Sequence, residues 1–472
     1  MGGACSSAAP AGRPGPGLSD AASELDVVAD GQNPPTDTAG DTGAACSTPT
    51  YAPPIETPDG WSWLPCTPHS SLSTCNAVIA PDTAHAHPAP VWTSCGTGCL
   101  AYAVPNPNLE NFGIRNIRGT QKDGQRFLGF SVQTGFRKPV ETMFVREPDN
   151  TVVFDMVVLD GDDDCSAYVQ GMGSGKAVFE LIKQKNPPLP GDWDLVYAVD
   201  LATPSPRVTF FSDNDTTTLG SPIAWTVSSD LWSIASDFSA RWHGWDDASA
   251  FQPAWQSSDS SSLVQMTSVG STLLLSTVLV KNSYAVVAWN PIGGSKTLAG
   301  GAPVASGTSA GCAASDGTDV VWFEGKGSAW QETSQTFAKL SLMTLPLAGG
   351  PTLVPRVLRP LYQNHLFGTE IAMGGGYVLT AENRQLPARS KLVLTRLSDG
   401  AFVILPDPPA GAQWRTPLYV DATELAAVWM PVPDATGVGQ PITIVRQTLD
   451  DLGPFQPPDT WDSVIGVSDA GH

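Results

Sequence analysis

The chain has 472 residues, enough for two or three average domains or for one large repeat domain. Its 25 Lys and Arg stand against 46 Asp and Glu, a net charge of −21. That argues against a nucleic-acid binder, because phosphate contacts need a basic face. Gly 46 and Pro 42 exceed the about 33 and 24 of average usage, and with 15 Trp they favour many short strands over helical bundles. No run reaches the roughly 18–20 apolar residues of a membrane-spanning helix; the stretch from Leu273 to Val280 is short and interrupted by Ser276 and Thr277. No transmembrane helix is therefore expected.

Residues 1–60 hold eight acids between Asp20 and Asp59, one base, Arg13, and no Trp. Such a segment cannot bury enough apolar surface to offset its ordering entropy, so it reads as a disordered acidic tether. At its start, Gly3-Ala4-Cys5 resembles the small-residue end of a bacterial lipobox. The resemblance implies lipidation of Cys5 and a tether that lifts a domain off the membrane. The other reading of Cys5 is a spare thiol in an ordinary N-terminus.

Four of the eight Cys lie at Cys66, Cys75, Cys95 and Cys99, beside His69, His85 and His87. Two chemistries fit the cluster. Disulfides Cys66–Cys75 and Cys95–Cys99 would close small loops in an exported chain. Alternatively, Cys-x2-His at 66–69 and Cys-x3-Cys at 95–99 have spacings of zinc ligands. Only one of these spacings resembles a tight zinc knuckle, so the disulfides are preferred.

From residue 147 onward, two kinds of segment recur. The first is a turn followed by a short apolar run: Glu147 to Phe154, Ser315 to Phe323, and weaker copies at Asn282 to Trp289, Gly374 to Leu379 and Asp421 to Trp429. The second is strand, turn, strand, with turns centred near 202, 293, 349 and 399. The first step spans two repeats, so the period is about 45–55 residues, which for strands alone indicates a β-propeller. We expect an all-β fold over residues 61–465, with about seven four-stranded blades (six or eight being acceptable counts) and a tail at 466–472. Ring closure should pair strands from the two ends of the domain, with Thr460 to Ile465 as the C-terminal contributor. The turn-plus-strand segment resembles the Ser-Pro-Asp-Gly repeat of TolB-like propellers, most closely at Glu147 to Phe154 and Ser315 to Phe323. The N-terminal Cys, acidic tether and degenerate repeats together resemble exported lipoproteins of high-GC bacteria, which implies a periplasmic or cell-surface location. No activity follows from that likeness.

Gly307-Thr308-Ser309-Ala310-Gly311 has the nucleophile-elbow pattern, but that elbow needs a helix after the Ser and another strand is expected here. Gly171 to Lys176 lacks the first Gly and the final Ser or Thr of a phosphate loop. Asp160, Asp162 and Asp164 place carboxylates at alternate positions and could converge on calcium; a solvated acidic loop is the plainer reading, and no other cofactor is expected. The densest mixture of aromatic, base and acid is Arg241, Trp242, His243, Trp245, Asp246 and Asp247. Trp faces stack on sugars and carboxylates bind hydroxyls, so this stretch is the candidate ligand-binding edge, against a plainer role in blade packing. The leading expectation is a non-enzymatic, monomeric binding or scaffold module at the bacterial cell envelope, with an envelope protein or glycan as partner. The alternative is a carbohydrate-active hydrolase or lyase with its site in the propeller funnel.

Overall fold

The computed structural model describes residues 60–470 apart from 65–76, 81–85, 104–113, 134–139, 159–164, 184–192, 204–207, 216–221, 236–238, 244–250, 257–262, 279–283, 301–308, 327–338, 350–352, 363–370, 385–388, 432–441 and single positions at 123, 148 and 229. Its strands form seven antiparallel sheets. The innermost strand of each sheet begins at Ile114, Cys165, Pro222, Leu263, Ser309, Ile371 or Ala412, a spacing of 41 to 62 residues. Each of these strands touches its counterpart in the next sheet, and the last touches the first. The chain is a seven-bladed β-propeller. Blades 1 to 7 are numbered in chain order, and from its innermost strand each runs outward from the axis.

The two recurrent segments have structural meanings. All four strand-turn-strand copies join the third and fourth strands of a blade, in blades 2, 4, 5 and 6; the double step between the first two skips blade 3. Three turn-plus-strand copies, at Ser315, Gly374 and Asp421, join the first and second strands of blades 5, 6 and 7. In these turns the chain supplies its own hydrogen bonds: Asp316 Oδ1 accepts from the backbone N–H of Thr318 and Asp319, each at 2.9 Å. Gly375 and Gly376 carry φ of 61° and 84°, the left-handed pair that matches a two-residue turn to the strand twist. Glu147 to Phe154 differs, joining the third and fourth strands of blade 1. Gly171 to Lys176 is also a hairpin, with φ of 52° at Ser174 and 73° at Gly175.

Because a blade is covered on both faces, its middle strands are apolar on both sides. Phe154 of blade 1 lies 5.5 Å from Phe179 of blade 2, and Trp232 of blade 3 meets Trp289 of blade 4 edge-on at 5.2 Å. Near the axis the backbones approach closely. A Cβ on Gly173 would overlap the Val227 carbonyl oxygen of the next blade, and one on Gly374 would overlap that of Val420. We expect Gly173→Ala to lower stability by about 1–3 kcal/mol through overpacking, read as a fall in urea midpoint; an unchanged midpoint would contradict this packing.

Ring closure uses the N-terminal segment twice. Cys99–Ala103 pairs antiparallel with Thr443–Thr448 as the fourth strand of blade 7, and Thr93–Gly96 lies outside it. Cys95 and Cys99 are joined by a disulfide with Cα atoms 5.1 Å apart. Ala77–Ile79 adds to the outer strand of blade 1, Thr151–Val158, with Ser62–Trp63 beyond it. The segment is therefore a strap across the seam between blades 1 and 7. The C-terminal partner in closure is Thr443–Thr448 rather than Thr460 to Ile465, which is helical: a 3-10 turn at Pro458–Thr460 leads into the helix Trp461–Ala470. The spacing Trp461, Val464, Ile465 places three apolar side chains on one helical face, which packs on Tyr362, Val393 and Phe402 of blades 5 and 6. Among the described residues, no helix is long and apolar enough to cross a membrane.

Candidate functional site

Of the sequence-derived ligand edge, Arg241, Trp242 and His243 lie on the third strand of blade 3, Ser239–His243. Trp242 is opposite Trp232 in the neighbouring strand and joins the apolar cluster between blades 3 and 4. His243 is buried, with Nε2 2.9 Å from Ser233 Oγ; burial, aided by the Arg241 charge, lowers its pKa to about 4. Trp245, Asp246 and Asp247 lie outside the described residues, as do Asp160, Asp162 and Asp164, Cys5, Cys66 and Cys75, and His69 and His85. The placement of Trp242 leads us to expect a loss of about 2 kcal/mol for Trp242→Ala. That is less than the about 3–5 kcal/mol of a fully buried aromatic, because Trp242 is only half-buried. A thermal melt checks this, and an unchanged Tm would instead favour a stacking platform.

Ser309 opens the first strand of blade 5, and the chain passes from Ser315 through a tight turn into Asp319–Lys326. No helix follows that Ser, so the strand–turn–helix elbow is absent there.

Two ionic constellations occupy the closing seam. In the first, Tyr419 of blade 7 donates to Glu147 Oε2 at 2.9 Å and bonds Glu424 Oε1 at 2.6 Å. Arg446 spans both carboxylates, with Nη1 2.9 Å from Glu147 and Nε 2.8 Å from Glu424. Arg126 of blade 1 grips Asp421 from Nε at 2.9 Å and Nη2 at 2.7 Å. Burial pushes the Glu147 carboxyl up despite Arg446 and the Tyr419 hydroxyl, and pushes the Tyr419 phenol well above its ordinary value. Burial also opposes the charge on Arg446, but the Glu424 hydrogen bond and the surrounding negative groups outweigh it and raise its pKa. Every charged group here has a partner across the seam, which is the chemistry of a fastening.

The second constellation is His87, Glu141 and Asp155, whose donor atoms all lie within 4.8 Å of one another. Glu141 and Asp155 sit on adjacent antiparallel strands of blade 1, where Glu141 pairs Val157 and Met143 pairs Asp155. The two are therefore diagonal neighbours on one face. His87 comes from the strap. Its Nδ1 is 2.8 Å from Asp155 Oδ2 and 3.0 Å from Glu141 Oε1, and its backbone N–H donates to the same Asp155 oxygen at 2.7 Å. The Trp61 ring lies 5.3 Å from the imidazole. Burial and the neighbouring Asp155 push Glu141 up to about 6, and burial raises Asp155. In sequence His87 stands beside the Cys cluster, whereas in space it meets two carboxylates of blade 1. The sequence signal for the site is Asp155, a lone carboxylate inside the apolar run Val152 to Val158.

No family model matches the chain, and no curated protein sequence matches it. Solved structures with similar architecture include a prolyl endopeptidase, at 11% identity and a TM-score of 0.46 over 71% of this chain and 50% of that one. The β-propeller domain of the trilobed protease from Pyrococcus furiosus has a TM-score of 0.42 and 11% identity, covering 74% of this chain and 95% of that chain. The α-L-arabinofuranosidase Arb93A from Fusarium graminearum has a TM-score of 0.39 and 12% identity, covering 75% and 98%. The chain spans half the length of the prolyl endopeptidase. These likenesses concern the fold; the blade count rests on the strand pairing above.

Proposed function

We propose that this propeller is a non-enzymatic, exported binding or scaffold module of the bacterial cell envelope, monomeric, tethered by residues 1–60 and anchored through a lipidated Cys5. The observation that carries this reading is the contrast between the two ends of the ring. At one end, first and second strands are joined by tight turns such as Gly374 to Tyr377 and Val420 to Glu424. At the other end, second and third strands are far apart in sequence: Lys326 and Lys339 in blade 5, Pro431 and Thr443 in blade 7, and Lys183 and Trp193 in blade 2 are separated by 12, 11 and 9 residues. Rigid strands carrying long, sequence-diverse connections at one end are the usual arrangement for recognition. The turn-plus-strand hairpins at Ser315, Gly374 and Asp421 support a TolB-like kinship in the same sense.

A glycan array probed with the full chain, and with a variant carrying a Gly-Ser linker of equal length at 327–338, tests the reading. A discrete glycan class bound by the parent and lost in the variant, at unchanged Tm, is the expected result. Release of free sugar from a bound glycan would overturn the non-enzymatic reading in favour of a carbohydrate-active enzyme. Absence of binding to any glycan, together with no capture from envelope extract, would overturn the module itself. Mass spectrometry of the protein from membranes checks the lipid on Cys5.

A further inference from the structure

We propose that His87, Glu141 and Asp155 bind one divalent transition-metal ion of the zinc class, which pins the N-terminal strap to blade 1 beside the closing seam.

The donor set selects the ion. One imidazole nitrogen and two carboxylates suit zinc and its neighbours, whereas calcium takes six to eight oxygens and thiophilic ions want sulfur. The spacing suits it as well. Metal–ligand bonds of about 2.0–2.2 Å at tetrahedral angles put ligand atoms about 3.3–3.5 Å apart. The two separations from His87 Nδ1, 2.8 and 3.0 Å, need only a few tenths of an ångström of expansion.

Charge gives an independent reason. Asp155 is 1% exposed, and its Oδ1 has no hydrogen-bond partner. Both hydrogen bonds from His87 go to the other oxygen, Oδ2. A buried carboxylate with a bare oxygen is costly unless a cation completes it, and an ion held by both Oδ1 and Oδ2 of Asp155 would do so. Two carboxylates facing one imidazole carry a net charge of −1 even when the imidazole is protonated. A dication with neutral imidazole brings the sum to zero. The His87 side chain is 46% exposed, which leaves a path for the ion and an outward position for water as a further ligand.

The position gives the site a consequence. Three residues beyond His87, the Pro90 carbonyl accepts from Asn150 Nδ2 at 2.5 Å, and Trp92 Nε1 donates to Asn150 Oδ1 at 3.2 Å. The strap then becomes the outer strands of blade 7. A metal on His87 would thus fix to blade 1 the same segment that completes blade 7.

The test uses the full chain, stripped with EDTA and dialysed, titrated calorimetrically with zinc at neutral pH. One equivalent should bind, and His87→Ala and Glu141→Gln should each weaken binding by about 100-fold or more, as loss of a direct ligand exceeds the 10–100-fold of an outer-shell change. The side chains of His87 and Glu141 are 46% and 31% exposed, so both variants keep the buried Asp155 and should fold. Saturating zinc should raise the Tm of the parent but not of His87→Ala. Cobalt in place of zinc should give d–d absorption without a thiolate charge-transfer band. Failure of the parent to bind an equivalent, undiminished binding by both variants, or a thiolate band assigning the ion to cysteines would each overturn the proposal.

Discussion

Replacing Arg359 by Ala should lower the unfolding free energy by about 3–5 kcal/mol, the cost of stranding a buried charge. Arg359 lies on the outer strand of blade 5 and reaches into blade 6, where its Nη2 pairs with Glu382; both side chains are fully buried. Its Nε donates to Thr395 Oγ1 at 2.7 Å, Nη2 to Thr380 Oγ1 at 3.0 Å, and Nη1 to the Pro360 carbonyl at 2.8 Å. Glu382 uses its second oxygen to accept the Tyr362 N–H at 2.6 Å. The Trp461 ring closes the site, with the guanidinium 4.5 Å from its centroid. Removing the cation leaves Glu382 with two hydrogen-bond donors but no counter-charge in a dry site. The paired replacement Arg359→Met with Glu382→Leu should recover most of the loss, because a buried ion pair gains little over apolar side chains of similar volume. Urea unfolding of Arg359→Met, Glu382→Leu and the double variant forms the cycle, with Arg359→Ala measured beside it. A loss below about 1 kcal/mol in both singles would show that solvent reaches this pair.

That pair also marks where sequence reasoning stops. The propeller was legible because its signals are local: Asp316 and Gly317 make a turn wherever they occur, and Val320 to Phe323 suits a strand covered on both faces. The period then counted the blades. Arg359 and Glu382 meet only because blade 6 stacks on blade 5, and no local pattern couples positions 23 residues apart. The same holds for Arg126 and Asp421, brought together by ring closure. His87 shows a subtler limit, since its neighbours in sequence suggested a cysteine site while its neighbours in space are Glu141 and Asp155. Thr460 to Ile465 reads as a strand in sequence because a short apolar run bounded by turn residues fits strand and helix alike. The exposed Asp462 and Ser463 between its buried positions decide for the helix.

Acidification from pH 7 to pH 4 should cost the fold up to about 3 kcal/mol through His243 alone. His243 is 5% exposed on the third strand of blade 3, and its pKa is held at about 4, below the ordinary 6.5, by burial and then by the Arg241 charge. The unfolded chain takes up this proton near pH 6.5, whereas the folded chain resists until about pH 4. Between those values the unfolded state binds more protons, so stability rises with pH and is lost as the pH falls. Above about 6.5 both states are neutral and the contribution is complete. His243→Gln keeps a group able to hydrogen-bond Ser233 without titrating. Stability should be measured by urea midpoint at pH 7.5, 6, 5 and 4 for parent and variant. Carboxylates, Glu141 at about 6 among them, titrate alike in both proteins, so the difference between the two curves isolates the histidine. The parent should lose stability relative to His243→Gln progressively below pH 6.5. Parallel curves would mean that the imidazole is protonated inside the blade, with a counter-charge compensating Arg241.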